Sequence, residues 1–464
     1  MRRACAVFPL ATLLATAAFA QNISFNRPGS GARAAGMGNA FIAVSDDGTA
    51  ASWNPAGLAQ LRKPELSLVH TTSLRRVARE GFVTRDASAA FSTLTTDSTS
   101  ADIEFASIAV PFGVAGKPVT VQLGWRRLFQ LGSEVQGDVR RVPLSATSRP
   151  GSVVRTDNVT NGSVDLWSLA GAVRFTNRLS LGWSLDLYSG SWVTRENTSE
   201  DPGIDGPTDF ESVVFSNHVS GHTLNLGLLL TYPAFRVGVV YHGALRGDYE
   251  ASRSVRSNLT EPTEESVPPE SSLRFPRSIG FGVAWHPRPL WRLSLDLTYD
   301  EWKEFLYEGV PGYPDQPVNA FDGLPPDLSA TRNTVTLNAG LERLFHVKGA
   351  FVPLRLGAAY EPQGARDPLL RDDLEHVILA AGTGFNTNSF KFDVALAYRF
   401  GGSRTSSDVT PVYLLDLPEA YSLPPAPEAQ GSAGLHEWRI KMSVIYRVAD
   451  TDRLRDFLKK VFGS

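Results

Sequence analysis

Few residues in this 464-residue chain stand in patterns that perform chemistry. Gly36-Met37-Gly38 forms a G-x-G run, but no buried strand precedes it and no βαβ unit surrounds it, as a dinucleotide site requires. There is no G-x-S-x-G elbow and no H-E-x-x-H helix. The eight histidines are scattered. His218 and His222 are four apart, a spacing that aligns metal ligands on a helix but leaves them about 13 Å apart on a strand. These residues predict no enzyme, no metal and no cofactor. The enzymatic alternative is a Ser-His-acid constellation assembled in space from distant positions. The polar residues that stand out are suited to binding: the pair Asp46-Asp47, the run Asn54-Pro55-Ala56-Gly57, and arginines such as Arg126 and Arg399 at alternate positions of apolar segments.

The elements that must position them begin with an export signal. Arg2 and Arg3 precede an apolar run from Ala4 to Ala17, and Ala18-Phe19-Ala20 ends it as a cleavage site would. Residues 1–20 are therefore expected to be a signal peptide, which takes the single cysteine, Cys5, with it. Removal of the two arginines moves the net charge from −3 to −5, which does not favour nucleic acid. No long apolar stretch follows, so an exported chain of this kind is soluble, lipid-anchored or a membrane barrel.

Period-two alternation decides among these. Leu293, Leu295, Leu297 and Tyr299 share one face of "RLSLDLTYD", and Arg292, Ser294, Asp296 and Thr298 the other. "SFKFDVALAYRF" and "EWRIKMSVIYRV" alternate in the same way. Runs this long are strands facing two different solvents, and about ten residues is the length of a tilted transmembrane strand. Fourteen such segments run from 64–72 to 435–448. They are separated by alternately short turns ("GVAGKP", "TNR", "PRP") and long polar connections, such as 130–160 and 193–217. An even strand count with alternating connection lengths predicts an all-β, 14-stranded antiparallel transmembrane barrel in the outer membrane of a Gram-negative-type bacterium.

With those residues in view, the chain resembles the long-chain fatty acid transporter (FadL/TodX) family of outer-membrane proteins. The resemblance is carried by Gly36-Met37-Gly38-Asn39-Ala40-Phe41, Asp46-Asp47 and Trp53-Asn54-Pro55-Ala56-Gly57 ahead of fourteen strands, and by the strand pair within 275–302. It implies a signal peptide (1–20), an N-terminal hatch inside the lumen (21–61) and a barrel (62–448). It also implies passive uptake of hydrophobic compounds, such as fatty acids or hydrocarbons, with lateral release gated by the hatch. Partners would be a hydrophobic small molecule and outer-membrane lipid, and the chain would act as a monomer. A related scaffold barrel of type IX secretion has a similar N-terminal segment and is the alternative.

The resemblance makes Asp46, Asp47, Asn54, Pro55, Ala56 and Gly57 hatch residues, and places a kink in the third strand, where Gly124 is the natural position. Asn54 is expected to reach wall backbone freed by that kink. Met37, Phe41, Ile42 and Trp53, with Arg126 and Arg399, are the candidates for lining a ligand pocket. The apolar residues equally suit a small core of the hatch itself, and the arginines suit ion pairs with inward carboxylates. Residues 449–464 depart from the family: Leu454, Phe457, Leu458, Val461 and Phe462 form one helical stripe, predicting a short amphipathic periplasmic helix.

Overall fold

The computed structural model describes residues 29–83, 89–141, 153–201, 208–268, 270–309, 315–366, 373–405 and 431–448. The expected signal peptide and C-terminal helix lie outside the described residues. One antiparallel sheet is built from β1 (Glu65–Val83), β2 (Ala89–Val114), β3 (Lys117–Gln130), β4 (Ser133–Arg141), β5 (Val153–Arg174), β6 (Leu179–Asp201), β7 (Asp209–Thr231), β8 (Phe235–His242), β9 (Leu245–Ser257), β10 (Thr263–Ser266), β11 (Ser272–Phe275), β12 (Ser278–Arg288), β13 (Trp291–Asp300), β14 (Leu306–Glu308), β15 (Val318–Asn319), β16 (Thr334–Val347), β17 (Ala350–Arg366), β18 (Asp373–Asn386), β19 (Phe390–Thr405) and β20 (Gly431–Arg447).

Several of these are pieces of one wall strand. β4 continues β3, β9 continues β8, β10 and β11 lead into β12, and β14 continues β13. β15 pairs only with β14. Fourteen wall strands result, and the first pairs with the last, from Glu65 opposite Arg447 to Glu80 opposite Ser432. The ring is closed, so neither the first nor the last strand is left as a free edge.

Alternation sorts the side chains as the period-two pattern predicts. On β13, Leu295 is 60% exposed and Asp296 only 1%. Outward Leu181, Trp183, Leu185 and Leu187 on β6 give way to Arg195 and Asn197 higher on the same face. The apolar band is therefore shorter than the strands, whose far ends project beyond it. That corrects the expectation of loops at 130–160 and 193–217. Their described residues are mostly paired strand: Ser133–Arg140 on Val153–Thr160, and Val193–Glu200 on Asp209–Ser216. With backbone hydrogen bonds satisfied by neighbours, polar strands continue past the membrane.

The segment 29–61 lies within the ring. It contains a short helix, Ala32–Gly36, and two 3₁₀ turns, Ala50–Ser52 and Pro55–Gln60. Nearly all of it is buried, and it bonds to side chains or backbone of β1, β2, β3, β5, β7, β13, β16 and β20. Contacts on strands so far apart around the ring require a position in the lumen. The wall makes room with inward glycines at one level: Gly182, Gly227, Gly238, Gly282, Gly340, Gly357 and Gly382. The approach is closest at Gly357, where a Cβ would fall 1.9 Å from the Gly38 nitrogen. Gly38 itself has φ +61°, a left-handed turn that a side chain would strain.

Candidate functional site

The inserted segment holds its own shape by local chemistry. Asn54 caps the 3₁₀ turn: its Oδ1 accepts from the Ala56 N–H at 3.1 Å, and Pro55 occupies the first turn position, where a missing N–H costs nothing. Gly57 passes so close to Ser45 that a Cβ would lie 2.4 Å from its carbonyl oxygen. Met37, Phe41 and Trp53 pack with Ala34, Ala43 and Val44 into a small core. Phe41 meets Trp53 edge-on at 5.8 Å, and the Trp53 indole N–H donates to the Ser30 carbonyl at 2.8 Å. Ile42 instead faces the wall beside Gly280 and Gly282. Met37, Phe41 and Trp53 thus pack as the small core of the segment, one of the two alternatives for these apolar residues.

The acidic pair fastens this unit to the wall. Asp46 accepts from Arg33 at 2.6 Å and faces Arg236 at 3.3 Å and Arg292 at 3.6 Å. Asp47 pairs with Lys391 at 2.6 Å. The charges then alternate around a loop: Lys391 to Asp393 (3.6 Å), Asp393 to Arg355 (2.8 Å), Arg355 to Glu342 (2.8 Å), Glu342 to Arg33 (3.0 Å) and Arg33 back to Asp47 (3.5 Å). Burial works to raise the pKa of Asp46, but Arg33, Arg292 and Arg236 outweigh it and hold the carboxyl well below its usual range. Asp47 is likewise brought to about 2, with Lys391 and Arg33 overcoming its burial. Breaking such a buried network at one member leaves an uncompensated charge.

Hydrogen bonds complete the attachment. The Ile42 N–H donates to Asp296 at 2.7 Å, the Ala32 N–H to Ser443 at 2.6 Å, and the Gly48 N–H to Glu65 at 2.7 Å. Asn338 and Gln122 donate to the carbonyls of Gly38 and Gly48. Asn54 does reach wall backbone, but at the Leu228 carbonyl of β7 (3.1 Å) and not at the third strand. Backbone pairing there is complete, so this is a second acceptance by a carbonyl lone pair.

The third strand is irregular, though not at Gly124. That residue sits in regular pairing with Ser107 and Ser168. The register against β5 shifts between Arg127 and Phe129, and the strand breaks at Leu131-Gly132 before β4 resumes. Pairing of β2 with β3 stops at Phe105 opposite Arg126 and returns only at Asp97 opposite Glu134. Residues 98–104 thus have no backbone partner on that side among the described residues. Arg127 spans the interval, bonding Asp102 of β2 and Asp165 of β5, each at 3.0 Å. The glycine signal misled because an inward Gly next to paired backbone relieves no strain, whereas Leu131 turns inward and carries the chain with it.

Above the inserted segment, the lumen is apolar and aromatic. Phe129, Leu131, Leu166, Tyr188, Trp192, Tyr249 and Phe275 from the wall meet Trp302 and Phe305 from the connection after β13. Phe129 stacks on Phe275 at 5.7 Å, and Phe305 lies 4.9 Å from Phe275 and 5.0 Å from Phe321. Sequence reasoning missed this cluster, although alternation marks each wall member except where strands break. A small cavity of about 30 Å³, lined by Ala51, Ser52, Gly124, Arg126 and Tyr188, separates it from the inserted segment. Arg126 therefore faces an interior space. Arg399 is buried and pairs with Glu361 at 2.8 Å and Glu437 at 3.4 Å and contacts His376, the ion-pair alternative for the inward arginines.

No family model and no curated protein matches the sequence. Solved structures match its fold. A FadL homologue of Pseudomonas aeruginosa superposes with a TM-score of 0.59 at 14% identity, covering 90% of this chain and 98% of that one. The toluene transporter TodX of P. putida gives 0.57 at 14% identity, with 92% and 100% covered. The toluene transporter TbuX of Ralstonia pickettii gives 0.55 at 14% identity, with 91% and 100% covered. A closed ring of fourteen strands, irregular at the third and matched along nearly its whole length by these structures, has the fold of the FadL/TodX outer-membrane channels.

Proposed function

We propose that the chain is a passive outer-membrane channel for hydrophobic compounds, hydrocarbons or long-chain fatty acids, with segment 21–61 as its hatch. The observation that carries this reading is the aromatic lumen, which runs from the end with long connections to the unpaired interval between β2 and β3. Short turns mark the periplasmic end of such barrels, so the aromatic half faces outward. An apolar molecule gains roughly 25 cal/mol for each Å² it removes from water, enough to draw it into that half without an energy source. Below, the hatch and its ion pairs bar the way into the periplasm. Sideways, among the described residues, 98–104 of β2 lack backbone partners on the third-strand side, and the Arg127 side chain spans the interval. Lateral release into the membrane follows as the exit. Toluene transport by the structural neighbours TodX and TbuX supports the apolar cargo.

Uptake of radiolabelled toluene and oleate by cells that express the chain tests the reading. Saturable uptake reduced by Phe129→Ala or Phe275→Ala is expected. A folded barrel that takes up neither, and instead retains a secretion partner, overturns it in favour of the scaffold. Deletion of 21–61 addresses the hatch alone: conductance in a planar bilayer should rise sharply, and an unchanged, already open channel refutes a hatch.

A further inference from the structure

Below the hatch, at the end with short turns, the lumen widens into a vestibule of about 530 Å³. Asp46 and Glu342 are the carboxylates among its described lining, and the loop of ion pairs already engages both. Cations exceed them. Arg174 donates to the Ala59 carbonyl at 2.8 Å and to Gln60, with no carboxylate within ion-pair reach among the described residues. Arg62 and Arg178 at the rim likewise have none there, and the Arg178 guanidinium rests over the Tyr232 ring at 5.1 Å. Among the described residues, the carboxylate within ion-pair reach of Arg236 is that of Asp46, at 3.3 Å. The space is enclosed by a low-dielectric wall, which concentrates the field of these charges, and its volume is that of a small-ligand site.

We propose that this vestibule is an anion-binding site that takes a carboxylate or phosphate group on Arg174, Arg236 and the rim arginines Arg62 and Arg178. Guanidinium groups bind such oxyanions in two-pronged fashion. The site is also coupled to the hatch. Arg236 and Arg292 line the vestibule and both face Asp46, so an anion bound there competes with the hatch carboxylate for the same donors. Occupancy weakens one attachment of the hatch from the periplasmic side. The same chemistry is offered by a free anion and by the headgroup of an amphiphile.

Calorimetric titration of the full chain, in neutral detergent at low salt, tests the site with inorganic phosphate and octyl phosphate. Saturable binding that weakens as salt is raised is expected, with about tenfold lower affinity in Arg174→Gln and Arg236→Gln. Equal affinity for the two probes identifies a free anion, and binding of octyl phosphate alone identifies a headgroup. Arg62→Gln and Arg178→Gln, at the exposed rim, weaken binding without touching the hatch and cover the case in which the inner variants do not fold. Absence of binding by both probes, or binding unchanged in all four variants, overturns the proposal. Toluene uptake by the unmodified chain is measured alongside: absence of anion binding with intact uptake sinks this site alone, and anion binding without uptake sinks the transport reading alone.

Discussion

Replacement of Asp47 by Asn removes one charge from the closed loop of ion pairs while keeping the shape of the side chain. The Oδ1 that accepts from the Thr49 N–H (3.1 Å) and hydroxyl (2.6 Å) survives as an amide oxygen, so the local turn is retained. What is lost is the partner of Lys391, whose ammonium is then left, nearly fully buried, with Asp393 at 3.6 Å. The fall of the Asp47 pKa to about 2 is worth on the order of 2 kcal/mol in favour of the attached, ionised state. Removal of one partner from a buried pair costs about 3–5 kcal/mol. The ratio of released to seated hatch should therefore rise by between about 30-fold and about 5000-fold. Single-channel recording reads this as the fraction of time spent in a conducting state. Lys391→Met in the same molecule should recover much of the loss, because it removes the stranded charge. An Asp47→Asn channel as quiet as the wild type, or a double variant noisier than the single one, would refute the electrostatic attachment.

Gly357→Val places side-chain atoms where the Gly38 backbone lies and should unseat the hatch while the barrel still assembles, seen as higher conductance with an unaltered strand spectrum. Acid should act in one window. Asp46 and Asp47 have depressed pKa values in the seated state, so their contribution is complete above the ordinary carboxylate range and disappears as pH falls from about 4 towards about 2. Channel noise is expected to be flat from neutrality to about pH 4 and to climb below it; a rise centred near pH 6 would point to another group. Leu295→Arg, at an outward position 60% exposed, should lower barrel stability in lipid by about 2–4 kcal/mol if it lies near the midplane, measured by denaturant titration in vesicles. A neutral result would mean that this face does not meet lipid.

The wall was legible in the sequence because its signal is local. Leu293 to Tyr299 reveal two solvents by alternation alone, and the short turns between such runs dictate antiparallel neighbours. The same rule put Arg292 and Asp296 on the opposite face before any partner was known. The polar ends of β5, β6 and β7 escaped because alternation marks a strand only where its two faces differ, and above the apolar band both are wet. The inserted segment was expected through the family resemblance that its small residues, its acidic pair and Asn54-Pro55 carry. Its seat could not be recognised. Arg33 meets Glu342 across 309 positions and Asp47 meets Lys391 across 344, pairings that exist only after the ring closes. Closure likewise decided which wall glycines would face the segment, since an inward Gly at Gly124 looks no different in sequence from one at Gly357. The break after Phe129 and the aromatic gathering around Phe275, Trp302 and Phe305 have the same origin. They are set by which strands and connections share a level in the lumen, and that level follows from the stagger of the whole barrel, a quantity no short stretch of sequence carries.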